Sequence, residues 1–599
     1  MPVTKIEIEG NGETSQSFPQ SAMVLEAYEG SAGATSSRFS VSLLQGSQSR
    51  QPHVYSSSSP DAILSRIHPP DFCSLHGGCF CNRSISWVEF GQAENDHTRI
   101  RVSRRDGLRF PQRTRVLPLS LAIRADVSAD GSTVTLLARG SRLHMLLQHG
   151  PAPSCDAASS FSHSMLIWVG GLDPSPPTLD NASTLLRFGP GEHYVADGGV
   201  LQLPAAVDTI LLERGAWVMG RINVTRGRRT AVKVVGHGIF EGSRFTYHGG
   251  SAADSMRFVE PQLDRPLLWD GPSVIHPMVS DAATARSSMI CKHAHHRADA
   301  KNTLAIPPDL PSSHLLTPQG HAAVAPPNSS FRCFRMLGWL FNEDGLWLGP
   351  NSSVSHSFIR TNDDSIRMYA GEVDHWLNTP APRRGERAKG ASVREVVIAQ
   401  MFNGAAIQLG WESAGVEGVV VDGLDLVSSE WYDLPGNATR APSNALLSLV
   451  SPQYDTALAE HHRNITLRNV RVDSPVGSIV RLGLYSTRSP SSLRGLWLCN
   501  VTVRHPLSWL NGGDRVLDQG RSKMENTRQA EPEERGAAAA RPGDNFVYVA
   551  SPSAVSDVRF AGVSVAGVHV RSHLQWGMSA LGEAAGATAI RYQDAGGCL

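Results

Sequence analysis

The sequence predicts an all-β protein, with an amino-terminal β-sandwich followed by a right-handed, single-stranded parallel β-helix. Three observations predict it. Gly accounts for 55 and Pro for 37 of the 599 residues while aromatics are 7%, a composition of many turns and short strands. Residues 37–180 alternate apolar and polar side chains in short segments with no helical periodicity. From residue 184 to 599 strand-turn-strand units recur, which is the mark of a solenoid.

Residues 1–36 are polar, Ser/Gly-rich and unpatterned, and read as a disordered tail. The sandwich strands expected next are Ser86–Phe90, Thr98–Val102, Leu119–Ile123, Thr133–Leu137 and Ser164–Val169, separated by turns such as Ala129-Asp130-Gly131. In the solenoid the segments beginning at Val393, Val416, Arg463, Leu493 and Val555 start 23, 47, 30 and 62 residues apart, near multiples of one coil. Val, Ile and Leu alternate with polar groups in each, so the repeat is made of strands. Coils stacked this way lie about 4.8 Å apart. Residues 248–330, rich in Pro, His and Ala, and residues 511–545, charged and polar, read as loops inserted between coils of the 184–599 domain.

Lys plus Arg and Asp plus Glu are each 55, so the chain is neutral and lacks the basic excess that nucleic acid demands. No run of 18 apolar residues predicts a membrane span. A monomer is expected. Eight cysteines are too sparse for a disulfide scaffold. Cys73, Cys79 and Cys81 have no zinc-finger spacing and read as a local disulfide or free thiols. Eight N-glycosylation sequons, at Asn82, Asn181, Asn223, Asn328, Asn351, Asn437, Asn464 and Asn500, exceed the count of about three expected by chance and point to the secretory pathway. The first residues carry no basic segment followed by an apolar one, so export by another route or a missing amino terminus is implied.

The chemistry concentrates between Phe341 and Tyr369. Asn342-Glu343-Asp344-Gly345 precedes a strand, a turn and a second strand, and Asn362-Asp363-Asp364-Ser365 follows. Asp344 lies 19 residues before Asp363 and 20 before Asp364, which is one short coil. The three carboxylates are expected on neighbouring coils, facing one cleft. Like charges so placed raise at least one pKa and leave one acid protonated beside ionised partners. Glycoside hydrolysis uses such a pair, one acid for the leaving oxygen and one base for water. Asn and Asp are also ordinary turn residues in solenoids. Three Asp at coil spacing, flanked by Trp339, Trp347 and Tyr369, exceed what turns require.

These motifs resemble the catalytic region of glycoside hydrolase family 49, the dextranase and isopullulanase family within the pectin-lyase-like β-helix superfamily. Other stretches are similar to it in the same order: His163–Val169, Arg187–Tyr194, Val235–Tyr247 with its Gly236-His237-Gly238, and Asn403–Trp411. The resemblance implies a β-sandwich followed by a right-handed parallel β-helix, and inversion at the anomeric carbon. It implies that Asp363 is the general acid and that Asp344 and Asp364 hold or activate the water. Trp347, Arg367, Tyr369, Asn403, Gln408 and Trp411 become substrate-contact candidates on a neutral α-glucan, dextran-like or pullulan-like. No cofactor and no metal is expected. The family usually carries Lys where Arg367 stands, a change in hydrogen-bonding geometry.

Two alternatives stay open. A polygalacturonase-like hydrolase would place Gly-His-Gly after the paired Asp, whereas Gly236-His237-Gly238 precedes Asp344 by over a hundred residues. A non-catalytic carbohydrate-binding β-helix protein is the other, since fold alone does not establish activity. Cys291, His293, His295 and His296 are metal-capable but lack a partner cluster. His237 reads as a coil-packing residue, because inverting hydrolysis needs no imidazole.

Overall fold

The computed structural model describes residues 8–9, 25–58 and 84–148, then 164–172, and from 184 onward 184–247, 267–280, 320–368, 387–429, 445–451, 460–504, 545–549 and 555–593, with short gaps inside several of these ranges. Among the described residues there are strands and one 3₁₀ turn but no α-helix, and no helix is long and apolar enough to cross a membrane.

The sandwich has two sheets. One holds five strands, including Phe39–Gln45, His97–Arg104 and Thr133–Arg139, and the other holds six, including Ser84–Gly91, Leu143–Gln148 and Met165–Gly170. Alternation sets which face is buried: Ile100 and Val102 face inward from His97–Arg104 while Arg99 and Arg101 are exposed. Leu25 joins this core, and Glu26–Ala27 pairs with Ser84–Gly91. The sandwich therefore begins before residue 37, and Ile8–Glu9 pairs with the Thr184–Phe188 strand, so part of the expected tail is ordered by pairing. Leu119–Ile123 is not a strand. Pro118 lacks the N–H that would extend the Arg115–Leu117 pairing, and Leu119–Leu121 forms the 3₁₀ turn.

After the sandwich the chain winds into the right-handed parallel β-helix that the repeat predicts. Among the described residues its main sheet has 21 strands and a second has eight, running Gly320–Ala325, Glu343–Leu348, Ile366–Met368, Ala405–Leu409, Ala445–Ser451, Ser478–Leu484, Asn545–Val549 and Met578–Leu581, each parallel to the next. Leu346, Ile366, Ile407, Leu447 and Val480 are level on successive coils and fully buried, forming one inward ladder. Each such side chain contributes roughly 1.5–3 kcal/mol on burial. The five segments picked out by the repeat are successive strands of the main sheet. Leu267–Asp270 and Ser273–Ile275 also lie in that sheet, so 248–330 is not wholly a loop. Strands of three or four residues are too short to show a period. Residues 281–319 and 505–544, with the Cys291–His296 and Cys73–Cys81 clusters, lie outside the described residues.

Two columns of left-handed residues crease the long strands. Asn351 and Asn464 belong to one, and Asn469 and Asn500 to the other, with φ between 51° and 56°. Asn tolerates this region better than most residues. Asn500 donates Nδ2–H to Asn469 Oδ1 at 2.8 Å on the coil before. The sequon residues Asn328, Asn351, Asn464 and Asn500 are all exposed and all left-handed. Cys333 and Cys499 are buried free thiols.

The sandwich packs directly on the β-helix. Tyr55, Trp87 and Trp168 meet Trp217 and Phe358, with Tyr55, Trp87 and Trp217 in mutual contact at ring separations of 5.2, 5.7 and 6.4 Å. Within this apolar seam Glu89 Oε1 takes Arg335 Nη1 at 2.6 Å, His237 Nδ1 at 3.0 Å and Arg214 Nη1 at 3.2 Å. His237 is thus an interdomain packing residue.

Candidate active site

The acids arise where the eight-stranded sheet meets the turn at 362–365. Leu346 pairs with Ile366, which brings Asp344 level with Asp364 on the next coil. Gly345 N–H donates to Asp364 O at 2.8 Å and Ser365 N–H to Ala405 O at 2.9 Å, so three coils are fastened across this point. Thr361 Oγ1 donates to Asp363 O at 2.8 Å and lies 2.8 Å from Ser365 Oγ, holding the turn from inside. Regular alternation would send Asp363 and Asp364 to opposite faces. The turn instead lets both join Asp344.

One carboxylate oxygen from each of Asp344, Asp363 and Asp364 lies within 4.8 Å of the others. Asp344 and Asp364 are buried, and Asp363 is partly exposed. Burial, and then the charges of Asp344 and Asp364, push the Asp363 pKa well above the usual carboxylate range. Its Oδ1 accepts the Asp364 N–H at 2.9 Å, while Asp364 Oδ1 accepts the Ala405 N–H at 2.8 Å. Trp347 donates Nε1–H to Asp344 Oδ2 at 2.9 Å. Arg367 Nη1 stands 3.9 Å from that oxygen, and its guanidinium carbon lies 4.1 Å from the Trp347 ring centroid.

Three carboxylates this close are also a donor set for a hard cation. Trp347, Arg367 and Gln408 are level on three coils and each is at most 5% exposed, so they form one row beside the acids. Ser448 continues it next to Gln408. Tyr369, Asn403 and Trp411 lie outside the described residues. Two glycines that the motif reading left without a role shape the site. A Cβ on Gly345 would sit 2.1 Å from Ser365 O, and one on Gly404 would sit 2.4 Å from Asp363 Oδ1. Gly345 stands inside the acid motif and Gly404 directly after Asn403, so both were visible as turn residues.

No protein-family model matches the chain. A dextranase from Arthrobacter globiformis is 22% identical over 323 residues, 49% of this chain and 43% of that protein. A dextranase from Talaromyces minioluteus is 22% identical over 314 residues, 50% of this chain and 44% of that protein. An isopullulanase from Aspergillus niger is 20% identical over 322 residues, 50% of this chain and 47% of that protein. The chain thus spans less than half the length of these curated relatives. The solved structure of Dex49A from Penicillium minioluteum superposes with a TM-score of 0.63 at 16% identity, covering 99% of this chain and 100% of that one. That likeness establishes a common fold. In sequence the chain is similar to these dextranases and this isopullulanase, and in fold to Dex49A.

Proposed function

We propose that this protein is an inverting endo-glycoside hydrolase acting on a neutral α-glucan, dextran-like α-1,6 linkages first and pullulan-like substrates second. The observation that carries this reading is the gathering of Asp344, Asp363 and Asp364 within 4.8 Å, with the partly exposed Asp363 pushed well above the usual carboxylate range by burial and by its two neighbours. The dextranases and the isopullulanase to which the chain is similar support the substrate class.

In the proposed reaction Asp363 gives its proton to the glycosidic oxygen as the bond from that oxygen to the anomeric carbon breaks. Water attacks the anomeric carbon from the opposite face and loses its proton to the carboxylate pair Asp344 and Asp364. One sugar leaves as an alcohol and the other as a hemiacetal of inverted configuration. Asp363 regains a proton from solvent as the base loses one. Gln408 is the substrate contact of the row beside the acids, joined by Tyr369, Asn403 and Trp411. The carboxyl groups perform both proton transfers, so the mechanism calls on no cofactor. Working on a polymer too large to enter a cell, the enzyme would act after secretion, as a monomer.

Reducing-sugar release from dextran, pullulan, starch and polygalacturonate tests the reading. Hydrolysis of dextran or pullulan is expected, and Asp363→Asn should lower turnover at least about a hundredfold. Proton NMR of the first product should show the inverted anomer. Cleavage of polygalacturonate alone would return the chain to the pectinase alternative, and binding without hydrolysis to the non-catalytic one.

A further inference from the structure

Resting on the hydrolase reading above, we propose that Trp347 and Arg367 are positioning residues that act through Asp344, rather than contacts of the sugar. An aromatic sugar platform needs an open ring face. Trp347 is only 5% exposed, and the Arg367 guanidinium lies against its ring at 4.1 Å. Its one polar atom is already committed, since Nε1–H donates to Asp344 Oδ2 at 2.9 Å.

The contact is unusual for a strand. Residues three apart ordinarily point to opposite faces, yet Asp344 and Trp347 meet. Between them stands Gly345, whose backbone presses on Ser365 so closely that a Cβ would lie 2.1 Å from its carbonyl oxygen. At this tight approach the Asp344 carboxylate meets the Trp347 indole. Arg367 is level with Trp347 on the next coil, so the coil register itself sets the stack. Its Nη1, 3.9 Å from the same Oδ2, adds a positive charge beside that oxygen. A flat, delocalised guanidinium can stack face-to-face on indole and face a carboxylate at once, whereas an ammonium approaches the ring as a compact point charge. The pair thereby fixes the direction in which Asp344 meets the attacking water.

The test uses the full chain with Trp347→Phe, which keeps a ring and removes the N–H, and Arg367→Lys, which keeps the charge and removes the flat stack. On whichever glucan the wild type cleaves, Trp347→Phe should lower kcat by about a hundredfold, the usual cost of a misplaced catalytic group, with KM within about twofold. Arg367→Lys should lower kcat in the same pattern, and the double variant should be little worse than Trp347→Phe alone. A rise in KM at unchanged kcat would assign both residues to the sugar and overturn the proposal. Crystal structures of the two variants give a second readout that needs no substrate. Asp344 should leave its wild-type orientation while Asp363 and Asp364 stay, and an unmoved Asp344 overturns the proposal even if the chain hydrolyses no glucan. Absence of hydrolysis by the wild type would count against the function alone.

Discussion

Ala405 gives its backbone N–H to Oδ1 of Asp364 across 2.8 Å, and the two residues belong to successive coils. The coil below thus fixes one carboxylate of the cluster with a group every coil must satisfy anyway. Gly404, one residue earlier, takes φ +71° and lets the backbone approach Asp363 as well. Stacking therefore orients the acids, and the charge they share is a cost the solenoid carries.

That cost is measurable. Asp363 has its pKa raised by burial and by two neighbouring carboxylates, so the native state holds this proton more tightly than the unfolded chain does. For a raised acid, stability falls as pH climbs from the unfolded value near about 3.9 through the folded value. Asp363→Asn is neutral at every pH and keeps an oxygen for the Asp364 N–H. The variant should melt at a higher temperature than the wild type at pH 7, with the difference vanishing below about pH 4. Calorimetry across that range checks it; a lower melting temperature at pH 7 would contradict the account.

The same proton sets the alkaline limb of activity, because a general acid must be protonated to work. Asp364→Asn removes one of the two repelling charges and still accepts the Ala405 N–H. Residual kcat/KM in this variant should therefore lose activity at lower pH than the wild type does. A limb that stays in place would mean that Asp363 is not the group titrating.

Much of this architecture was legible in the sequence, for physical reasons. Val393, Val416, Arg463, Leu493 and Val555 open strands because one coil must repeat its inward face, and those strands stack in order. The Asp344–Asp364 spacing matches the observed register for the same reason. Leu119–Ile123 misled because Leu121 and Ile123 pack on the sandwich core without a strand, while the turn docks on the β-helix through polar groups: Leu119 N–H donates to Asp473 Oδ2 at 2.7 Å and Ser120 Oγ lies 3.2 Å from both carboxylate oxygens of Asp425. The fold supplies its own origin for the sequon excess. An Asn in a left-handed crease followed by strand residues such as Ile465-Thr466 or Val501-Thr502 writes Asn-x-Thr from the fold alone. The Trp347–Arg367 stack was out of reach, because pattern shows which residues face outward but not which ring a guanidinium will cover.

Gly404 tests how tightly the turn is built. Its φ of +71° and a Cβ 2.4 Å from Asp363 Oδ1 and 2.5 Å from Asp364 N leave no room for a methyl group. Gly404→Ala should cost about 1–2 kcal/mol from the left-handed backbone alone. It should also lower kcat more than tenfold by displacing Asp363, as roughly ångström-scale shifts do. Chemical denaturation and steady-state kinetics separate the two; full activity would show that the acid turn tolerates movement.

Glu89 carries the strongest prediction about the seam between sandwich and β-helix. Its side chain is 4% exposed, and burial alone would raise its pKa. Arg335, the hydrogen bond from His237 and then Arg214 overcome that penalty and hold Glu89 down at about 2. His237 is itself pushed below its ordinary value by burial and by Arg214, so it is a neutral donor and the two arginines supply the charge. Replacing Glu89 with Gln leaves Arg335 and Arg214 buried without their anion, which costs about 3–5 kcal/mol for pairs of this kind. Because the folded pKa is depressed, the carboxylate's contribution is complete above the unfolded value near about 4.3 and is lost as pH falls toward the folded value. Urea unfolding should therefore show a wide gap between wild type and Glu89→Gln at pH 7 that narrows steadily below about pH 4. The acids sit on the eight-stranded sheet and the Glu89 cluster on the sandwich seam, so folded Glu89→Gln should keep its kcat. A gap that persists unchanged to low pH would mean that the seam is held by the Tyr55, Trp87 and Trp217 stack, with Glu89 contributing little.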